Sequence, residues 1–281
     1  MKLAASYYDI AVVDIKASKT LFHNKLYSQS VFYFQQSVEK ANKAFAILTE
    51  IISEEEAKFD RDHNTNKIYK RIIDKQTNEI EQYLSAADNF PDLKKTKLHK
   101  IIQKSPKRNQ ADAFKKFIDG FHHETNLSPY DISYVIRQLN LLKIRKIRFQ
   151  KKILEINKKN LPKLLFPFYD AIGNENAQRA KNEIEEYLAD EKQLLEMSKY
   201  QIIALNLSIQ FSKIYFTLFF YALISLPHSK YSRYPYPENK IFPIQFYNLK
   251  LPLVKRLPVL IEHFENTLKL MRTVFPELKS R

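Results

Sequence analysis

Glycine is nearly absent from this chain: Gly120 and Gly173 are the two glycines in 281 residues, far apart and each alone. Phosphate-cradling loops and dinucleotide-binding turns need clustered glycines, because only a residue without a Cβ lets backbone N–H groups close on a phosphate in a tight turn. Those nucleotide-binding classes are excluded. The same scarcity disfavours a turn-rich β fold, while abundant Lys, Leu, Ile, Glu, Gln and Asn favour long helices. Cysteine is also absent, which removes disulfides, thiolate metal sites and cysteine nucleophiles together. A chain this long buries roughly three quarters of its unfolded surface and needs no staple.

Apolar periodicity places the helices. Over residues 6–22, Tyr8, Ala11, Val12, Ile15 and Phe22 share a stripe, with His23, Asn24 and Lys25 as the turn that follows. Over 27–52, Val31, Phe34, Val38, Ala41, Phe45, Leu48 and Ile52 alternate steps of three and four, the seam of an antiparallel helix pair. The run Glu54, Glu55, Glu56 either begins another helix or caps the loop after this one. Further helices are expected over 67–84 and, as one long element, over 129–160, closed by Pro162 and Pro167. One or two helices follow over 174–226. Residues 227–252 are too rich in proline for a long helix, and a last helix is expected from Pro258 to about residue 275. The fold class is all-α: an up-and-down bundle, residues 1–90 with 195–281, carrying an inserted helical region over 91–194.

Charge is unevenly spread. Lysine and arginine number 46 against 31 acidic residues, for a net +15, and residues 61–165 alone hold 24 basic and 11 acidic side chains. The excess concentrates in 94–163, where 94–108 has seven basic residues and no acid. Such a surface suits a polyanionic partner such as RNA, although a merely solvated lysine-rich face has the same composition. Lys94, Lys95, Lys97, Lys100, Arg145, Lys146, Arg148, Lys151 and Lys152 are the candidate phosphate contacts. They alternate with Ile and Leu rather than with aromatics, which favours backbone binding over base stacking. Asp9 and Asp14 interrupt the N-terminal apolar residues, so no signal peptide is expected. The apolar run 214–226 has 13 residues, against the roughly 20 that a bilayer core demands, so it reads as a buried helix and the protein as cytoplasmic, without a membrane partner.

The stretch 11–45, AVVDIKASKTLFHNKLYSQSVFYFQQSVEKANKAF, resembles the HEPN domain superfamily, in particular its abortive-infection and toxin-like members. Asp14 and Ala17 match the first helix of that pattern; Ser30, Gln35, Gln36, Glu39, Lys40, Lys43 and Ala44 match the second. His63 with Lys67 fits the polar loop that follows, and Arg233, Tyr234 and Pro235 supply the Arg-Tyr-Pro near its end. The resemblance covers residues 6–84 and 200–275. It implies a compact helical core, paired protomers, and a setting in prokaryotic defence, either abortive infection or a toxin restrained by an antitoxin.

The resemblance also implies a chemistry, since many members are metal-independent ribonucleases carrying an arginine followed a few residues later by a histidine. Arg256 and His263 match, two helical turns apart on one face. Histidine suits proton exchange with the RNA 2′-hydroxyl, and arginine suits the charge that builds on the phosphate. With eleven arginines and seven histidines in the chain, about one such spacing arises by chance, so an incidental pair stands beside the catalytic reading. Glu39 and Lys43, one turn apart, form a stabilising pair, and with Gln35 they either buckle two packed helices or contact a ligand. His63 is a cap neighbour or a ligand contact. His122, His123 and Glu124 lack metal-site spacing, so no metal or cofactor is expected. The alternative to an RNA-cleaving protein is a non-catalytic module that takes a nucleotide or a partner protein, with residues 227–252 as its aromatic anchor surface.

Overall fold

The computed structural model describes residues 2–59, 66–87, 89, 91–96, 99–100, 103–104, 108–120, 128–141, 147–148 and 151–278. They are all-α, with no strand among the described residues and one isolated bridge between Tyr236 and Ile241. The helices are α1 (Lys2–His23), α2 (Tyr27–Leu48), α3 (Glu54–Phe59), α4 (Asn66–Ala87), α5 (Arg108–Gly120), α6 (Pro129–Leu141), α7 (Lys152–Ile172), α8 (Glu175–Ala189), α9 (Glu191–Ser225), α10 (His228–Tyr231), α11 (Pro243–Phe246) and α12 (Pro252–Val274). Two compact units result: Met1–Ile72 with Asp112–Ile144 and Gln210–Arg281, and Ile73–Ala111 with Arg145–Ile209.

In the first unit α1 and α2 form the antiparallel pair that the stripes demand. Ser18 and Ser30 exchange hydroxyl bonds to each other's carbonyls at 2.8 Å, and Ser37 donates to the Ala11 carbonyl at 2.6 Å. Small serines at the seam let the helices approach while their hydroxyls stay satisfied. Val31, Phe34, Val38, Ala41 and Phe45 are buried, as are Tyr8, Ala11 and Ile15 across from them. The C-terminal part of α9 and α12 complete the core. Phe34 meets Tyr221 and Phe264 edge-on at 5.8 and 6.1 Å, and Phe45 meets Phe211 at 5.1 Å. Tyr69 stacks edge-on against Phe219, and its hydroxyl reaches the Asn42 side chain.

The second unit is assembled from the C-terminal part of α4, the start of α5, α7, α8, the N-terminal part of α9, and the 3-10 turn Pro91–Lys95, which packs on α7. Gly173, at φ +67°, turns α7 into α8, the left-handed conformation for which glycine carries no Cβ penalty. Asn174 then caps α8 through Ala177 N–H at 2.8 Å. Asn157 reaches Ser198 and Gln201, both at 2.8 Å, and ties α7 to α9.

Several expected boundaries shift. The helix expected over 129–160 is two helices: residues 147 and 148 are not helical, because the Asn206 side chain bonds both the N–H and the C=O of Ile147 at 2.8 and 2.9 Å. That competing partner satisfies the backbone without a helix. Pro162 and Pro167 do not close α7 but lie inside it. The residues four positions earlier, Lys158 and Lys163, are both exposed, so water can replace each missing bond. The last helix begins at Pro252, not Pro258, which sits in its interior. Helix α2 ends at Leu48 rather than at residue 52. The acidic run does both things that were open: it begins α3, and Glu56 forms a reciprocal capping box with Ser53 at 2.8 and 3.0 Å. The 13-residue apolar run lies at the end of a 35-residue helix that is long and apolar enough, by length and composition, to cross a membrane. Within that run, residues Tyr221 to Leu226 are all buried.

One buried group makes this fold acid-sensitive. His228 is 1% exposed, with Nδ1 2.8 Å from the Tyr247 hydroxyl, and burial pushes its imidazole down to about 4. Between the ordinary value of 6.5 and about 4 the unfolded chain binds a proton that the folded chain refuses. Stability is therefore full above pH 6.5 and falls as the pH drops through that window, by up to about 3 kcal/mol from this residue. Urea melts of wild type and His228→Gln between pH 7 and 4 check this: the variant should show the shallower decline.

Candidate functional site

Helix α12 exists because Leu253, Val254, Leu257, Leu260, Ile261, Phe264, Leu268 and Met271 form one buried stripe. Arg256 and His263 flank that stripe, seven residues and two turns apart. Arg256 is exposed and His263 half-buried, its ring edge-on to Tyr221 at a centroid distance of 6.2 Å. The His263 Nδ1 is buried without a hydrogen-bond partner. Burial lowers the imidazole's affinity for a proton, and the Lys213 ammonium lowers it further, with Glu262 opposing. The result is a neutral imidazole at pH 7, the form that can accept a proton. Lys213 and Tyr221 lie on α9, remote in sequence, and no local motif announced either as a neighbour of His263.

The second cluster lies on α2. Glu39 is 1% exposed, and its Oε1 lies 3.2 Å from Lys43 Nζ and 3.3 Å from Lys40 Nζ. Gln36 Nε2 donates to Gln35 Oε1 at 2.7 Å and reaches Glu39 Oε2 at 3.4 Å, while Lys40 donates to Gln36 Oε1 at 3.0 Å. Asp14 on α1 joins electrostatically: burial raises its carboxyl's pKa, the Lys40 ammonium lowers it, and Glu39 raises it. Lys43 Nζ lies 5.9 Å from the Tyr7 ring. Gln35 and Lys43 are themselves buried. These charge-assisted bonds run along α2, and the Asp14 carboxyl and the Tyr7 ring bring α1 against them.

The basic candidates that are described all face solvent. Lys94 and Lys95 stand on the Pro91–Lys95 turn, Lys95 paired with Asp92 at 2.6 Å, and Lys100 follows. Arg148, Lys151 and Lys152 precede or begin α7. Because that turn packs on α7, the two basic stretches, about fifty residues apart in sequence, meet in one unit. Lys97, Arg145, Lys146 and His63 lie outside the described residues, as do His122, His123 and Glu124. No group of three or more metal-ligating side chains occurs among the described residues. Arg233, in the first unit, is exposed and lies over the Phe32 and Tyr234 rings at 5.0 and 4.9 Å.

Comparison with known proteins gives one result. No curated protein and no solved structure matches the chain. The HEPN domain family model matches residues 4–98, which take in the α1–α2 pair and its buried Glu39 network. Over those residues, this chain is similar to the HEPN domain family.

Proposed function

We propose that this HEPN-domain protein acts on RNA, held by its phosphate backbone on the basic second unit and cut without metal at the Arg256–His263 pair. The observation that carries the reading is a half-buried His263, edge-on to Tyr221, on the same helix face as an exposed guanidinium, with burial and the Lys213 ammonium lowering the imidazole's affinity for a proton. His263 takes the proton of a 2′-hydroxyl, the freed oxygen attacks the adjacent phosphorus, and the 5′-oxygen leaves with a proton from water. Arg256 stabilises the charge on the phosphoryl oxygens. The products are a 2′,3′-cyclic phosphate and a 5′-hydroxyl. Two protomers pairing would set two such pairs in one cleft, and the biological setting is prokaryotic defence of the abortive-infection or toxin–antitoxin type. The test is incubation of RNA with wild-type protein in EDTA: fragments ending in cyclic phosphate support the proposal, and intact RNA removes its catalytic half.

Binding has its own test. If about four phosphates are neutralised on a single strand, log K falls against log salt with a slope of about −3, an affinity loss of about 50-fold between 50 and 200 mM salt. The double change Lys151→Glu and Lys152→Glu should weaken binding uniformly across sequences and flatten that slope by about 1. Fluorescence anisotropy over a salt series reads both. Salt-insensitive binding, or none at low salt, would mean that the basic unit is only solvated.

A further inference from the structure

A cavity of about 610 Å³ opens in the first unit between α2 and the proline-rich segment, lined by residues that the RNA reading does not use. Its walls are Phe32, Tyr234, Pro235, Phe242, Pro243 and Ile244. Ile244 is 84% exposed, Tyr234 53% and Phe242 44%, so the fold leaves these apolar groups uncovered at the cavity's edge. Size and lining are those of a ligand site: mostly apolar, with few polar groups to fix orientation.

The polar groups divide cleanly. Ser28 and Ser232 have spent their hydroxyl protons on the Ser232 and His228 carbonyls, at 2.6 and 2.7 Å. Arg233 is the sole charged residue among the described residues lining the cavity. Its guanidinium lies over the Phe32 and Tyr234 rings at 5.0 and 4.9 Å and donates to the Tyr234 hydroxyl at 2.8 Å, which fixes its plane. A guanidinium has five N–H donors, so the fork remains open to a further acceptor. Gln29 and Gln245 add side-chain amides, each able to donate and accept.

The geometry points to this cavity as a binding site for the carboxy-terminal end of a partner chain whose last residue is apolar. The carboxylate pairs with Arg233, the final side chain packs among Phe242, Pro243 and Ile244, and Gln29 and Gln245 meet the preceding peptide groups. One cation among the described residues that line the cavity balances a monoanionic carboxylate, whereas a phosphate dianion would be left half-neutralised by it. The planar fork also matches a carboxylate in two parallel bonds. The site is independent of RNA binding and cleavage, and stands or falls without them.

An array of hexapeptides with free carboxy termini, the last residue varied over Leu, Ile, Val, Phe, Tyr and Ala, each paired with its amidated twin, tests the site on the full chain. Free acids ending in a large apolar residue should bind, and amidation should weaken them about 10- to 100-fold. Arg233→Ala should erase the difference between acid and amide. Ile244→Glu, which keeps the Arg233 stacking and sets a carboxylate at the cavity's edge, should weaken the free acids most. Thermal melts confirm that both variants fold. Equal binding of acid and amide overturns the carboxylate assignment, and no binding of either overturns the site. Competition by inorganic phosphate as effective as that by the free acid overturns it in favour of a general anion site.

Discussion

Alanine in place of His263 is expected to lower metal-free RNA cleavage by about 10²- to 10⁴-fold while RNA affinity stays where it was. The reason lies in the surroundings of the ring. Burial and the Lys213 ammonium keep the imidazole neutral at pH 7, and Tyr221 holds its edge, so proton acceptance costs no deprotonation beforehand. The cleavage rate should rise with pH as His263 loses its proton, through a midpoint below the ordinary 6.5, and then level off. Arg256→Ala should cost about 10²- to 10³-fold and leave that midpoint nearly in place, because a removed phosphate cation acts on the transition state rather than on the base. Single-turnover rates from pH 5 to 8, with binding measured in parallel, separate these effects. If His263→Ala cuts as fast as wild type, the pair on α12 is incidental.

Glu39→Gln is expected to destabilise the fold by about 3 to 5 kcal/mol, since it removes one member of a buried ion pair. Glu39 is 1% exposed and Lys43 6%, and their 3.2 Å contact is one turn of α2. The double variant Glu39→Gln with Lys43→Met should recover much of that loss, because both members of the buried pair are then neutral. Urea denaturation of the wild type, both single variants and the double variant measures the coupling. A ligand-contacting Glu39 would behave differently: its replacement would shift stability by less than about 1 kcal/mol and act on binding instead. The burial of Gln35, Glu39 and Lys43 together is the physical reason to expect the structural outcome.

How much was legible beforehand depended on range. The stripes of α1 and α2 are local periodic signals, and Tyr8, Ala11, Ile15, Val31, Phe34, Val38, Ala41 and Phe45 are all buried as their spacing demands. The all-α class followed from near-absent glycine and from those stripes, and residues 4–98 match the family that the α2 signature suggested. The proline assignments at 162 and 167 failed for one reason. A proline's cost in a helix depends on whether solvent or a neighbour can serve the freed carbonyl, and that is a property of the finished surface.

Composition and short-range periodicity thus determined the helical class, the pairing of the first two helices and the location of the positive charge, because each depends on residues within a few turns of one another. Tertiary structure alone decided that Asn206 would break the chain at Ile147, that Lys213 and Tyr221 would surround His263, and that Phe32 and Tyr234 would hold Arg233 flat beside a cavity. The first and last of these lie about 60 and 200 residues apart in sequence. Such contacts form only when separate helices pack, and no local spacing encodes which side chains will then meet.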